Sequence, residues 1–251
     1  MTAQSRPRNE LWSEIEEIVR LRRFVDLLTG KTISEEAIGD CLCSLFGECG
    51  YRTATRVTRA KLIEDLQRER RTAISVLKNL RHPLQPDVDL LIEDSRRHLW
   101  GNELKLIRWA NERLKPVVPK DRLYDGLGQA LAIATFGVDY ACLWHVFVHP
   151  IAAYRKLEAR DQAHAEQIDD GRAEFVASYT GINSGILERF RLPIGYIAFL
   201  VAADKTARSI SIEPLLPWRE PTRLEPTPTG DHVRSLLQKA LDSSSAIGRG
   251  K

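Results

Sequence analysis

Glu103 and Lys105 stand two positions apart in the run Gly101-Asn102-Glu103-Leu104-Lys105-Leu106. Strand side chains alternate between faces, so this spacing sends both charged groups to one side and Leu104 and Leu106 to the other. The preceding run, Asp87-Val88-Asp89-Leu90-Leu91-Ile92, divides in the same way: Asp87, Asp89 and Leu91 share a face opposite Val88, Leu90 and Ile92. The polar turn Asp94-Ser95-Arg96-Arg97 joins the two runs, and the pattern predicts a β-hairpin that makes them neighbours. Asp89 can then approach Glu103. Two converging carboxylates form a hard oxygen site suited to Mg²⁺, which keeps several waters and takes one or two protein carboxylates. An ammonium beside them can orient, or help deprotonate, a water for in-line attack on a phosphodiester.

The elements that must hold these residues can be read from periodicity. Glu10 to Leu28 predicts one helix, with Trp12, Ile15, Ile18, Val19, Leu21, Phe24, Val25 and Leu28 on its apolar face and Gly30 as its stop. A second helix starts at Thr32 or Ser34, carries Glu35 and Glu36 in its first turn, and buries Ile38, Cys41, Leu42, Leu45 and Phe46 before ending near Gly50. Tyr51 to Thr58 predicts a strand, and the charged stretch to about Leu80 an inserted helix or elaborated hairpin. After the Asp87 hairpin come a helix from Asp121 to Phe136, closed by Gly137, and an apolar strand, Tyr140 to Val148, buried on both faces. Helices over Ile151–Ile168 and Arg172–Phe190, then strands over Ile194–Ala202 and Ser209–Leu215, complete a mixed sheet flanked by helices. The organisation predicted is a tail and helix over 1–31, an α/β domain over 32–216, and over 217–251 a Pro-rich linker, a short helix from Asp231 to Leu241 and a disordered tail.

Composition narrows the field. At 43% apolar and 28% charged residues the chain reads as folded rather than disordered. No window approaches the roughly 18 uninterrupted apolar residues of a membrane span, and MTAQSRPRNE lacks the apolar core of a secretory signal, so no membrane partner and a cytoplasmic setting are expected. A net charge of +3 is too balanced to demand a polyanion. The basic stretch from Arg52 to Arg81 has the composition to track phosphates, and equally that of a solvated helix face. Cys41, Cys43, Cys49 and Cys142 lack the C-x-x-C spacing of zinc sites, and buried free thiols are expected rather than an iron–sulfur cluster. His145 and His149, within and just after a strand and with no H-E-x-x-H pattern, read as packing or surface residues. No serine nucleophile elbow, Walker loop or dinucleotide fingerprint is present.

The segments PDVDLLIED, GNELKLI, YDGLGQALAIATFGVD and YACLWHVFV, in this order over Pro86 to Val148, resemble the PD-(D/E)XK nuclease superfamily. The resemblance implies a restriction endonuclease-like mixed β-sheet flanked by helices, here with an N-terminal helical extension. It makes Asp89, in preference to Asp87, the metal-binding aspartate, Glu103 the second metal ligand and Lys105 the catalytic lysine. Gln129 matches a glutamine that several branches carry on the following helix, with Tyr124 upstream of it. The family often adds a glutamate from its first helix, for which Glu35 is chosen because it aligns with Ile38 and Leu42; Glu36 and Glu64 stay open. Two departures stand out. Asp87 and Asp89 compete for the place that follows the family's proline, and about 25 residues separate the first strand from Pro86, longer than a simple hairpin loop.

The expectation is a DNA endonuclease or exonuclease using Mg²⁺ or Mn²⁺. A homodimer is expected with it, because two strands need two cuts. The alternatives are a nucleic-acid-binding module on the same fold that does not cut, and an interaction protein whose C-terminal helix docks on a protein partner.

Overall fold

The computed structural model describes residues 10–20, 22–58, 60, 62, 87–108, 125–150, 178–203, 210–215, 218–226 and 228–248. Most of the basic stretch beyond Thr58, the expected helix Ile151–Ile168, and Glu64, Trp109 and Tyr124 lie outside the described residues.

Six strands form one mixed sheet in chain order: β1 (Arg52–Val57), β2 (Val88–Glu93), β3 (Leu99–Arg108), β4 (Tyr140–Pro150), β5 (Gly195–Ala203) and β6 (Ile210–Pro214). The β1–β2, β2–β3 and β5–β6 pairs are antiparallel, and β3–β4 and β4–β5 are parallel. Helices cover both faces, as parallel central strands require. On one face lie α1 (Glu10–Arg20), α2 (Arg22–Leu28) and α3 (Glu35–Glu48). On the other lie α4 (Leu127–Ile133), a helical stretch over 178–189, here α5, and α6 (Pro228–Gly248).

Alternation along the central strands assigns their side chains to these two cores. Trp100, Leu104, Cys142, Trp144, Val146, Ile197 and Phe199 face α1–α3. Leu99, Ile107, Leu143, Phe147, Tyr196 and Leu200 face α4 and α6. Each such buried side chain contributes roughly 1.5–3 kcal/mol relative to exposure. Buried Asn102 ties three strands together: its Nδ2 donates to the Leu90 and Trp100 carbonyls at 2.9 and 3.2 Å, and its Oδ1 accepts from Trp144 Nε1 at 2.9 Å. The hairpin turn is closed by Asp94, whose Oδ1 accepts from the Arg96 and His98 amides at 2.9 Å each.

Several expected boundaries move. The helix expected over Glu10–Leu28 is described as Glu10–Arg20 and Arg22–Leu28, with Leu21 outside the described residues. The helix expected from Asp121 has Asp125 and Gly126 in a turn and begins at Leu127, because Gly126 takes a left-handed φ of 79°. The alternation expected along Asp87–Ile92 breaks: Val88 joins Leu91 in the α4-side core, while Leu90 and Ile92 lie in the other. The facing strand shares the distortion, since Arg56 has φ 52° beside Asp89 and Val57 falls in the same core as Ala54. The stretch expected to be a linker is extended but bonded to the sheet: Arg219 bridges Tyr196, and the Leu224 amide donates to the Asp139 carbonyl at 2.9 Å. The last helix runs past Leu241 to Gly248, through part of the tail expected to be disordered.

Candidate active site

The β2–β3 ladder runs from Glu93↔Leu99 to Leu90↔Asn102 and stops. Strand β3 continues for six more residues, paired with β4. A strand edge that loses its partner needs other acceptors for its amides, and here two carboxylates serve. Asp89 Oδ2 accepts from the Leu104 amide at 2.8 Å, and Glu35 Oε1 from the Leu106 amide at 2.9 Å. Glu35 is delivered by the start of α3, where Ser34 is the N-cap and accepts from the Ala37 amide at 3.1 Å. That helix start is as expected from sequence.

On the α4 face of β3, Glu103 is buried to 1% exposure, and Lys105 Nζ lies 2.5 Å from its Oε1. This close ion pair engages Oε1 inside the fold. Burial, then the charge of Asp89, pushes the Glu103 carboxyl up to about 7, with Lys105 opposing. Asp89 is raised by burial despite the Leu104 amide and Lys105. Burial works to lower Lys105, but contact with Glu103, aided by Glu35 and Asp89, outweighs it and holds the ammonium above its usual value. Asp89, Glu103, Lys105 and Glu35 thus form one electrostatic group spanning β2, β3 and α3.

The turn Asp125–Gly126 caps this group. A Cβ on Gly126 would lie 2.7 Å from Leu143 Cδ1, 2.8 Å from Lys105 Cγ and 3.3 Å from Glu103 Cγ. Only glycine allows so close a backbone approach at a left-handed φ. Behind the turn, fully buried His145 pairs in register with Lys105. Its Nε2 is 3.1 Å from the Asp125 carbonyl oxygen and its Nδ1 2.9 Å from Tyr196 Oη. Burial lowers the imidazole to about 4, so the ring is neutral near pH 7. Tyr179 of α5 packs edge-on against it, ring centroids 5.4 Å apart.

Asp89, Glu103, Lys105 and Glu35 are therefore brought together. Asp87 is exposed ahead of β2, and its charge raises Asp89. Gln129 is exposed in the first turn of α4. Glu36 is exposed and, with Ser34, Glu35, Leu106 and Arg108, lines a shallow open cleft of about 370 Å³ beside the group. Arg52 and Arg56 of the basic stretch are committed to ion pairs, Arg52 with Glu93 and Asp242, Arg56 with Asp40. Sequence reasoning placed His145 among packing or surface residues and singled out neither Tyr196 nor the Asp125–Gly126 turn. The available signal was a histidine inside an apolar strand, since a buried polar ring must find partners.

Among the described residues no three His, Cys, Asp or Glu side chains form a metal-binding group. The two carboxylates of Asp89 and Glu103 nevertheless match the small protein share of a Mg²⁺ shell. The Glu103 carboxylate, buried beside a second carboxylate, offers oxygen donors of the kind a hard cation takes. No family model matches the chain, and no curated protein or solved structure matches it.

Proposed function

We propose that the chain is a DNA nuclease of the PD-(D/E)XK type, with a restriction endonuclease-like fold, hydrolysing phosphodiester bonds with Mg²⁺ or Mn²⁺. One observation carries the reading: Asp89, Glu103 and Lys105 converge where the β2–β3 ladder opens, with Glu35 on the next free amide of β3. Asp89 and Glu103 would hold the cation. The cation would neutralise charge on the phosphate and lower the pKa of a bound water.

The chain's own groups have separable tasks in this reading. Glu103, ionised above about pH 7, is a ligand only once its proton has left. Lys105, kept charged by its acidic neighbours, orients the attacking water and balances charge building on the phosphate oxygens. Glu35 and Asp89 hold the free edge of β3, and so fix where Glu103 and Lys105 stand. Gln129, exposed at the start of α4, is assigned to contact with the polymer. The new bond joins water oxygen to phosphorus in line with the departing sugar oxygen.

The test is cleavage of supercoiled, linear and single-stranded DNA by the purified full chain with Mn²⁺ or Mg²⁺, paired with calorimetric metal titration. Lys105→Ala is expected to keep metal binding and lose at least about a hundredfold in rate, the usual scale for removing a charge-stabilising group. Glu103→Ala is expected to lose both. The reading fails if no DNA form is cut and no metal binding depends on Glu103.

A further inference from the structure

His145 is fully buried, has both ring nitrogens engaged, and has no task in the reading above. Its tautomer follows from its partners. The Asp125 carbonyl oxygen can only accept, so Nε2 carries the ring proton and donates to it. In the neutral ring Nδ1 is then an acceptor, and the Tyr196 hydroxyl donates to it. The relay runs Tyr196 to His145 to the Asp125 carbonyl, and ends on the turn that covers the catalytic pair.

The glycine of that turn leaves no room for a Cβ against Lys105 Cγ or Glu103 Cγ, so its backbone lies on the stems of both side chains. Where the turn sits decides which rotamers Lys105 and Glu103 can hold. Neither ring nitrogen has a hydrogen-bonding position left for substrate or water. We propose that His145, oriented by Tyr196, is a positioning residue that locks the Asp125–Gly126 turn onto Lys105 and Glu103 and so fixes the ammonium–carboxylate geometry. The catalytic consequence rests on the nuclease reading; the latch itself does not.

The experiment compares His145→Leu, His145→Gln and Tyr196→Phe in the full chain. Glutamine can place an amide N–H near the Nε2 position and restore the bond to Asp125, whereas leucine cannot. A displacement of about 1 Å at a reacting group costs on the order of a hundredfold in rate. His145→Leu is therefore expected to lower kcat by about that factor, with KM for DNA and Mn²⁺ affinity within about threefold of wild type. His145→Gln should recover most of the loss, and Tyr196→Phe should fall between. Equal losses in the Gln and Leu variants, or a loss carried by KM alone, would overturn the proposal. Should His145→Leu lack a cooperative thermal transition, Tyr196→Phe and His145→Gln carry the comparison.

A second measurement needs no activity. Nitrogen-15 shifts of His145 in the metal-free protein should show a protonated Nε2 and a bare Nδ1. The Lys105 side-chain resonances should move in Tyr196→Phe and stay near their wild-type positions in His145→Gln. If the wild type cuts no DNA, the nuclease reading falls, and these resonances still decide the latch: a protonated Nδ1, or Lys105 signals unmoved by Tyr196→Phe, would sink it.

Discussion

Glu103 must share a buried corner with Asp89, and Lys105 offsets only part of the cost. Its carboxyl is raised from 4.5 to about 7 because burial and a neighbouring negative charge both disfavour ionisation in the folded chain. The raised folded value means that this group contributes stability at acid pH, fully below about 4.5, and loses it as pH rises through about 7. A shift of this size corresponds to on the order of 3 kcal/mol. The metal-free protein should therefore show a thermal midpoint that declines between pH 4.5 and 7, and Glu103→Gln should flatten that decline. Calorimetric scans across the range check it; an unchanged slope in the variant would place the titration elsewhere. On the proposed reading, addition of Mg²⁺ above pH 7 should restore the lost stability, since a ligand bound only by the folded state stabilises it by mass action.

At the scale of elements, the site depends on a strand pair that parts at a chosen place. Asn102 pins β2 to β3 on one side of the parting, and Asp89 and Glu35 hold the free edge of β3 on the other. The Asp125–Gly126 turn then closes over the stems of Glu103 and Lys105. Gly126→Ala forces an L-residue into a left-handed φ and pushes a methyl group against Leu143 and Lys105. The expected cost is roughly 2–5 kcal/mol, from backbone strain of about 1–2 and overpacking of about 1–3. On the proposed nuclease reading, cleavage should fall further than the loss of folded protein explains, because the displaced groups are then the reacting ones. Chemical denaturation and single-turnover rates measured on the same preparations separate the two effects; equal losses would reduce Gly126 to a packing residue.

Across the whole molecule, the closing helix belongs to the fold. Val233, Leu236, Leu237, Ala240 and Leu241 of α6 enter the α4-side core, and Arg234 bonds Asp139 at 2.7 Å and the Gly137 and Arg97 carbonyls. Its apolar side is spent on the chain's own sheet, which leaves less for a docking partner. Each of these Val and Leu side chains contributes roughly 2 kcal/mol. Removing all of them approaches the whole margin of about 5–15 kcal/mol on which a domain survives. A chain ending before Pro228 is expected to lose its cooperative thermal transition and near-ultraviolet circular dichroism. Retention of both would make α6 an appendage. Among the described residues no helix is long and apolar enough to cross a membrane.

The sequence by itself determined the pieces whose signals are local. Two-residue alternation located Glu103 and Lys105 on one strand face, the Asp94 turn announced the hairpin, and Ser34 with Glu35 and Glu36 announced the start of α3. These depend on neighbours a few residues away, and so are written in short stretches of chain. Only the tertiary structure put Asp89 on the Leu104 amide, because that contact turns on where β2 leaves β3. It also decided that His145 stands beside Lys105, since the register of two parallel strands is set by packing across both cores and not by either strand's pattern. Gly126 looked like an interior helix residue until Leu143, Lys105 and Glu103 occupied the space around it. The last helix looked unattached because the surface it covers is assembled from strands far away in sequence.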